Sequence, residues 1–468
     1  IAPDIALAQG SVAPVIAGDS RAGLQGHMEA LYDPTGDLTL ADILAGRAGQ
    51  AFELVPESYG RGLGNTGAAW IRFTLEIKEN NNSGIPAHIM MFNPPGMDRI
   101  SIYIANSPAA SRPDDFQRFD MGASLPYAAR PLPAPSFLVP LPQEPGKRLV
   151  FVRVQNRASL LLHGSVETPQ SLRKYELFNW LFSGGYLSAC LIVAGINFAF
   201  WYWLRERYYL FYAAFTLSLA TITIWKTGLL PVLFSNSAHE FHLQFLAFAN
   251  GMSLFWGLAF AADFLPFKHR APLAWWLTWG IALTGLAQII IGAIGLWDKL
   301  FAPLAVLGVV MAIIPLIAAI RLARQGNNRS RIYLLSFTPS NLGVFVVVAR
   351  NLNWLPTNAL VDHALQIGGV LHLIIMTVAL ASRINRSERA KHQAEREALI
   401  AAQSSERRAN EIAEERTRDL NRAKADLEDA LKTERRVSRE QMQFIDTVSH
   451  EYRTPVAVLR GNLDLLKI

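Results

Sequence analysis

Charged residues are scarce in this 468-residue chain, at 18% of the sequence, whereas a soluble globular domain has roughly 25%. The deficit is local, because long stretches between Leu177 and Ala381 carry almost no charge. A soluble core could not absorb so many apolar runs of about 20 residues, but a bilayer could. The net charge of +6 is therefore not interpreted as a nucleic-acid interface, since much of the Lys and Arg excess lies in short loops beside these runs.

Cysteine is almost absent, since Cys190 is the only one. It lies inside the first apolar run, so the region before it can form no disulfide and must be held together by its own hydrophobic core. A reactive thiol needs exposure. We therefore interpret Cys190 as a small residue that faces lipid or neighbouring helices.

The start of the chain has features of a processed segment. The first residue is Ile1 rather than Met, and the sequence Ala6-Leu7-Ala8 before Gln9 is the small-x-small pattern of a signal peptidase site. We interpret residues 1–11 as a signal-peptide remnant and the chain as a fragment or a processed form.

Residues 12–169 are rich in Gly, Pro and Asn and contain short β-type runs. Residues 70–77 alternate apolar and polar side chains, as a half-buried strand does. Similar runs lie at 88–92, 99–104, 137–141, 149–155 and 160–166. Turn-forming segments such as 80–84 and 93–96 separate them. This spacing predicts an all-β sandwich or jelly roll.

The region 177–381 contains seven apolar runs, at 177–204, 208–230, 241–265, 273–297, 300–320, 332–350 and 358–381. At about 1.5 Å per residue, each can cross a hydrocarbon core about 30 Å thick. The pattern predicts a seven-helix transmembrane bundle.

Basic residues in alternate loops indicate the orientation of this bundle. One side carries Arg205, Arg207, Lys268, Arg270, Arg321, Arg324, Arg329, Arg331, Arg383 and Arg386. The other side has Lys299 and Arg350 near its loops, with Arg173 and Lys174 before the first run. The positive-inside rule therefore predicts an outside N-terminal domain and a cytoplasmic C-terminal tail, which agrees with an odd number of spans.

Residues 382–440 are dominated by good helix formers. Apolar positions recur every seven residues, with one more four residues further on: Ala413, Leu420, Leu427 and Leu431. Such a seam predicts a parallel, dimeric coiled coil that carries motion inward. A solvated single helix is the alternative, because Lys424 and Ser438 fall at core positions of the repeat.

The most specific motif is F-I-D-T-V-S-H-E-Y-R-T-P at 444–455. It resembles the H-box, F-x-x-x-x-S-H-E-L-R-T-P-L, of the dimerisation and histidine phosphotransfer domain of sensor histidine kinases. Tyr452 and Val456 replace leucines of that pattern, and both are apolar enough to pack in a helical bundle. Residues 441–468 are thus identified as the incomplete start of this helical domain.

The residue types suit phosphoryl transfer. A neutral imidazole is a good nucleophile, so His450 can accept a phosphoryl group, and the adjacent Glu451 can act as general base. The resemblance implies that Thr454 helps to position water when the partner response regulator is dephosphorylated. Pro455 removes one helical hydrogen bond just beyond the reactive histidine and predicts a bend there.

The resemblance also implies ATP and Mg²⁺, bound by a C-terminal domain that we expect to follow residue 468. No P-loop pattern G-x-x-x-x-G-K-[ST] occurs in the sequence, so we expect this part of the protein to hold no nucleotide and no metal. The expected partners are a second copy of the chain and a response regulator, without direct nucleic-acid binding.

The first two regions carry a second resemblance. A strand with Trp70, Arg72 and Phe73, a strand at 151–155 and then seven spans look like the bacterial seven-transmembrane receptors with diverse intracellular signalling modules. In that family the extracytoplasmic domain is a jelly roll similar to carbohydrate-binding modules. The resemblance implies the bacterial inner membrane, a periplasmic N-terminal domain and a carbohydrate-like or small-molecule ligand there.

Other residues have weaker functional interpretations. Tyr59, Tyr103 and Tyr127 are candidates for a sugar platform, with core or turn packing as the alternative. His372 and Gln288 could handle ligand or protons, but hydrogen bonding within the bundle explains them as well. Charges near span ends, at Lys226, Asp263 and Arg350, are tolerable because long side chains reach the interface. The short cluster at 239–242 offers too few ligands for a metal site.

Two alternatives to a kinase remain from the sequence. One is a non-catalytic seven-span receptor that acts as a scaffold through its coiled coil. The other is a transporter-like protein, against which the lack of a charged residue at mid-membrane argues. The H-box favours the kinase over both.

Overall fold

The computed structural model describes residues 12–18, 21–63, 67–78, 88–157, 159–234, 239–352, 354–356 and 358–465. The segment 1–11, interpreted as a signal remnant, and the polar turn at 80–84 lie outside the described residues. Contacts divide the chain into two compact units, Ile1–Leu380 and Ala381–Ile468.

The N-terminal part of the first unit is built from β-strands. Their bounds are β1 Val15–Ala17, β2 Ala22–Gly23, β3 Met28–Asp33, β4 Glu53–Val55, β5 Tyr59–Leu63, β6 Ala68–Ile77, β7 Ile89–Asn93, β8 Arg99–Ala105, β9 Phe116–Met121, β10 Phe137–Pro140, β11 Gly146–Gln155 and β12 Ser159–Glu167. All six runs predicted as strands are confirmed, as β6, β7, β8, β10, β11 and β12.

The strands form two sheets of a sandwich. One has the order β4-β3-β6-β11-β8-β9, and β1 pairs with β6 in parallel. The other has the order β10-β7-β12-β2, and β5 pairs with β12. Every other pairing in the described part is antiparallel. The predicted sandwich is confirmed, whereas the jelly-roll description stays a prediction.

Alternating side chains of these strands fill two cores. Phe73 and Val150 of the first sheet meet Phe92 and Leu160 of the second in the main core between the sheets. Trp70, on the opposite face of β6 from Phe73, packs in a second cluster under the short helix α1, Leu40–Leu44. Within 70–77, this face of β6 is apolar only at Trp70, because Arg72, Thr74 and Glu76 on the same face are polar and partly exposed. The alternation in 70–77 therefore separates the core from solvent along most of the strand.

Helices make up the rest of the chain. Their bounds are α2 Pro169–Leu204, α3 Arg207–Lys226, α4 Leu229–Leu233, α5 His239–Phe264, α6 Phe267–Arg270, α7 Pro272–Ala293, α8 Trp297–Arg324, α9 Asn328–Asn351, α10 Ala359–Asp362 and α11 Ala364–Leu465. The start of α2 is fixed locally, because Thr168 accepts a hydrogen bond from the Ser171 backbone N–H and Pro169 occupies the first helical position.

Six helices of the described part are long and apolar enough to cross a membrane: α2, α3, α5, α7, α9 and the first part of α11. The predicted run 300–320 lies in α8, which is not among these six. Six of the seven predicted runs therefore coincide with such helices, and the count of seven stays a prediction.

The first turns of α11 pack closely on α9. A Cβ atom added at Gly368 would collide with the backbone carbonyl of Pro339, and one added at Gly343 would collide with the carbonyl of Ala364. Glycine at both positions lets the two backbones approach more closely than larger side chains would allow.

Candidate functional site

A cavity of about 1090 Å³ lies between the β-sandwich and the membrane helices. It is slightly larger than the roughly 300–1,000 Å³ of typical small-molecule pockets. Its wall on the sandwich side includes His163 of β12 and the loop that follows β7, from Asn93 to Gly96. Its wall on the membrane side comes from α2, α3, α5, α7, α8, α9, α10 and the start of α11.

Two basic side chains in this cavity converge on Asp362, the last residue of α10. Arg350, near the end of α9, places its Nη1 atom 2.8 Å from Asp362 Oδ1. Lys226, the last residue of α3, donates from Nζ to the backbone carbonyl of Asp362. Asn358 caps α10 by accepting a hydrogen bond from the Val361 backbone N–H at 3.0 Å. Two cations therefore contact one residue, Arg350 through the side-chain carboxylate of Asp362 and Lys226 through its backbone carbonyl.

This cluster corrects the interpretation of Lys226 and Arg350 as charges that reach out to the interface. Both side chains line the cavity and are held by Asp362. Sequence reasoning missed Asp362, although a signal was present. Lys226, Arg350 and Asp362 all lie at the ends of apolar runs that the positive-inside rule places on the same side of the membrane.

His163 contributes a neutral polar group to the same cavity. Its Nδ1 atom is buried and has no hydrogen-bond partner among the described residues. Burial lowers the pKa of His163 below its usual value of 6.5, so the imidazole is neutral at pH 7. A buried, unpaired ring nitrogen is costly in a folded protein and marks a position where a ligand or water would be favourable.

Glu167 fixes the junction between the sandwich and the first membrane helix. This carboxylate is fully buried and accepts hydrogen bonds from Ser165 Oγ at 2.7 Å and from Ser171 Oγ at 2.6 Å. Arg21, which immediately precedes β2, forms an ion pair with Glu167, and its Nε atom lies 2.9 Å from Glu167 Oε1. One acidic side chain thus connects β12, the N-terminal segment and the first turn of α2.

The start of α11 is also fixed by polar contacts. His363 donates from Nδ1 to Gln366 Oε1 at 2.6 Å, and Gln366 Nε2 donates to Ser183 Oγ of α2 at 3.1 Å. Both His363 and Gln366 line the cavity. The helix then continues without interruption from Ala364 to Leu465. A group bound in the cavity would therefore touch the first turn of the helix that carries the H-box.

Deeper in the bundle, His372 takes part in helix-to-helix hydrogen bonding. Its Nδ1 atom donates to the Ser336 carbonyl at 3.1 Å, which leaves Nε2 to accept from the Tyr212 hydroxyl at 3.3 Å. The interpretation of His372 as a residue that forms hydrogen bonds within the helical bundle is thereby confirmed. Gln288 is buried and is one of the residues that line the cavity.

The three tyrosines considered for a sugar platform are engaged elsewhere. Tyr103 is buried and stacks on Trp70 with ring centroids 5.8 Å apart. Tyr59 packs against the main core, and Tyr127 lies under the guanidinium of Arg130 at 5.0 Å. The alternative interpretation of these tyrosines, packing in the core or in turns, is confirmed, and they do not form an exposed aromatic face.

The H-box lies on α11, in the second unit. His450, Glu451 and Thr454 are all exposed. Thr454 is one turn beyond His450, and its hydroxyl donates to the His450 backbone carbonyl at 3.2 Å. The helix runs through Pro455 and ends at Leu465. The imidazole of His450 is thus accessible to a reaction partner, with Thr454 on the same face of the helix.

The fold and the cavity define a class, a protein in which a β-sandwich precedes several helices long and apolar enough to cross a membrane. Comparison with protein families then identifies the two parts. Residues 25–168 match the family described as 7TMR-DISM extracellular 2, and residues 179–383 match 7TM diverse intracellular signalling. No curated protein matches the chain. The chain therefore combines a 7TMR-DISM extracellular domain with a 7TM domain, an arrangement that fits a membrane sensor or signalling receptor.

Proposed function

We propose that this receptor is the sensing part of a bacterial histidine kinase of a two-component system. The observation that carries the proposal is the H-box at 444–455, on the same helix whose first turn lines the cavity. A signal received outside or within the membrane would then change the reactivity of His450 through α11.

In the proposed reaction, a ring nitrogen of His450 attacks the γ-phosphorus of ATP. A P–N bond forms, the bond to the leaving oxygen of ADP breaks, and Glu451 accepts the proton from the other ring nitrogen. ATP and Mg²⁺ would be held by a nucleotide-binding domain outside this chain. The phosphoryl group would next pass to an aspartate of a response regulator, and Thr454 would assist dephosphorylation of that regulator.

The proposal places the protein in the bacterial inner membrane. The arginine-rich loops on one side favour a cytoplasmic α11 and a periplasmic sandwich, which is where a receptor for external signals and its ATP-dependent output would have to lie.

The same proposal requires a homodimer. Leu420, Leu427 and Leu431 are 70%, 63% and 44% exposed in a single chain. Around His450, the apolar side chains Phe444, Ile445, Tyr452, Val456, Val458 and Leu459 are exposed as well. Pairing of two α11 helices would remove these surfaces from water, and this supports a parallel dimer.

The test is phosphorylation of the full-length protein in membrane vesicles with ATP labelled at the γ-phosphate. His450→Gln should abolish the label, because an amide cannot form the phosphoramidate. His392→Gln is the matched control, since His392 is an exposed histidine on the same helix, and this variant should keep the label. The label should be stable in alkali and lost in acid. Acid-stable label that persists in His450→Gln would overturn the assignment of His450 as the acceptor, and absence of label from the wild type would instead favour the non-catalytic receptor.

Two further variants separate the roles of the neighbours. Glu451→Gln should slow phosphorylation by about 10²-fold or more if this residue is the base. Thr454→Ala should leave phosphorylation intact and reduce dephosphorylation of the regulator. Equal effects of the two variants on both steps would contradict this division.

A further inference from the structure

We propose that the cavity binds a single-chain amphipathic anion, with its headgroup between Lys226 and Arg350 and its acyl tail between the membrane helices. The inference rests on the receptor function proposed above, since it names the ligand that such a receptor would detect. It does not depend on the chemistry of His450.

The charges at the outer end of the cavity favour an anionic headgroup. Asp362 is paired with Arg350, so Lys226 reaches only the backbone carbonyl of Asp362 among the described residues. Arg21 also lines the cavity, and its charge is balanced by its ion pair with the buried Glu167. One positive charge is therefore left over in a largely buried site, where an unpaired charge is costly. An anion would supply the missing counter-charge.

His163 adds a polar partner for such a headgroup. It lines the same cavity from the sandwich side, and its buried Nδ1 has no hydrogen-bond partner in the described part of the chain. A neutral imidazole can donate to or accept from a headgroup oxygen without changing the charge balance.

The inner part of the cavity favours an apolar tail. It is lined by Phe215 and Leu219 of α3, Leu254 of α5 and Phe337 of α9. Lys226 and Phe215 are 11 residues apart on α3, which corresponds to roughly 16 Å at 1.5 Å per residue. An extended dodecyl chain is close to this length. A small anion such as phosphate would leave this apolar wall uncovered.

The position of the headgroup explains how binding could reach α11. Asp362 lies two residues before Ala364, the first residue of α11, and His363 and Gln366 line the same cavity. An anionic headgroup would compete with the Asp362 carboxylate for the hydrogen bond that Arg350 donates, and it would therefore act directly on the residues at the start of this helix. A ligand shifts the equilibrium between two conformations only if it binds one of them more tightly than the other. Contact with the start of α11, the helix that carries the H-box, would allow such a difference in affinity.

The test measures binding of three probes to the full-length protein in lipid nanodiscs: dodecanoate, dodecanol and butyrate. Dodecanoate should bind at least about tenfold more tightly than either of the others, because only it has both the charge and the chain. Lys226→Gln should weaken dodecanoate binding by about tenfold or more. Lys268→Gln is the matched control, since Lys268 is exposed at α6 and does not line the cavity, and it should bind as the wild type does.

A second variant covers the case in which Lys226→Gln fails to fold. Leu219→Trp would fill the apolar wall below the headgroup and should block dodecanoate while leaving the Lys226 cluster intact. Thermal unfolding checks that each variant is folded. Equal binding of dodecanol and dodecanoate, tight binding of butyrate, or no binding of dodecanoate to the wild type would each overturn the proposal. Because no phosphorylation is measured, these outcomes are independent of the kinase test.

Discussion

Glu167→Gln should loosen the junction between the β-sandwich and the first membrane helix. The carboxylate of Glu167 is fully buried and accepts hydrogen bonds from Ser165 and Ser171 in addition to its ion pair with Arg21. Glutamine has nearly the same shape, but one of its terminal groups donates rather than accepts. At least one of the three partners therefore loses its acceptor.

The magnitude follows from the exposure of the partners. Removal of one member of a fully buried ion pair costs about 3–5 kcal/mol. The Arg21 side chain is 55% exposed, so water can solvate its guanidinium when the carboxylate is gone. The remaining loss comes from hydrogen bonds to a charged acceptor. Such bonds contribute about 1.5–3 kcal/mol each to stability, whereas neutral hydrogen bonds contribute about 0.5–1.5 kcal/mol each. We expect a destabilisation of about 2 kcal/mol at this junction.

The assay is hydrogen exchange of the backbone amides in β12 and the first turn of α2. A loss of about 2 kcal/mol should speed exchange there by roughly 30-fold, at tenfold per 1.4 kcal/mol. Glu414→Gln is the matched control, because Glu414 also pairs with an arginine, Arg418, at 3.5 Å but both side chains are exposed. It should change stability by less than about 0.5 kcal/mol. Equal effects of the two substitutions would refute the argument from burial.

Two further predictions concern topology and assembly. Reporters that are active only in the periplasm or only in the cytoplasm can be fused after Thr168 and after Ser404. The two fusions should report opposite sides of the membrane, because the arginine-rich loops favour one orientation. If both fusions report the same side, the number of spans is wrong. Replacing Leu427 and Leu431 by Ser should weaken dimerisation of α11, because it removes apolar side chains from the predicted seam. Crosslinking of cysteines introduced along 413–431 measures this dimerisation. A uniformly monomeric pattern without the Ser substitutions would contradict the coiled coil.

The strands and helices were largely predictable from the sequence, because they follow local periodicity. The alternation in 70–77 gave β6, and the apolar runs gave α2, α3, α5, α7, α9 and the start of α11. Six strands were missed: β1, β2, β3, β4, β5 and β9. Two of them, β1 and β2, have three and two residues, which is too short for any periodic signal. Their strand character comes from pairing with β6 and β12.

The sequence by itself determined the order of the parts and the H-box, because the length of an apolar run, a strand period and a twelve-residue motif are all local properties of the chain. Only the tertiary structure decided the cavity. Lys226 and Asp362 are 136 residues apart, and Gln366 and Ser183 are 183 apart. No local pattern encodes such contacts, since they arise when separate helices pack and buried polar groups must find partners. The proposed ligand site therefore arises from packing, whereas the motif proposed to accept the phosphoryl group is local and can be recognised in the sequence.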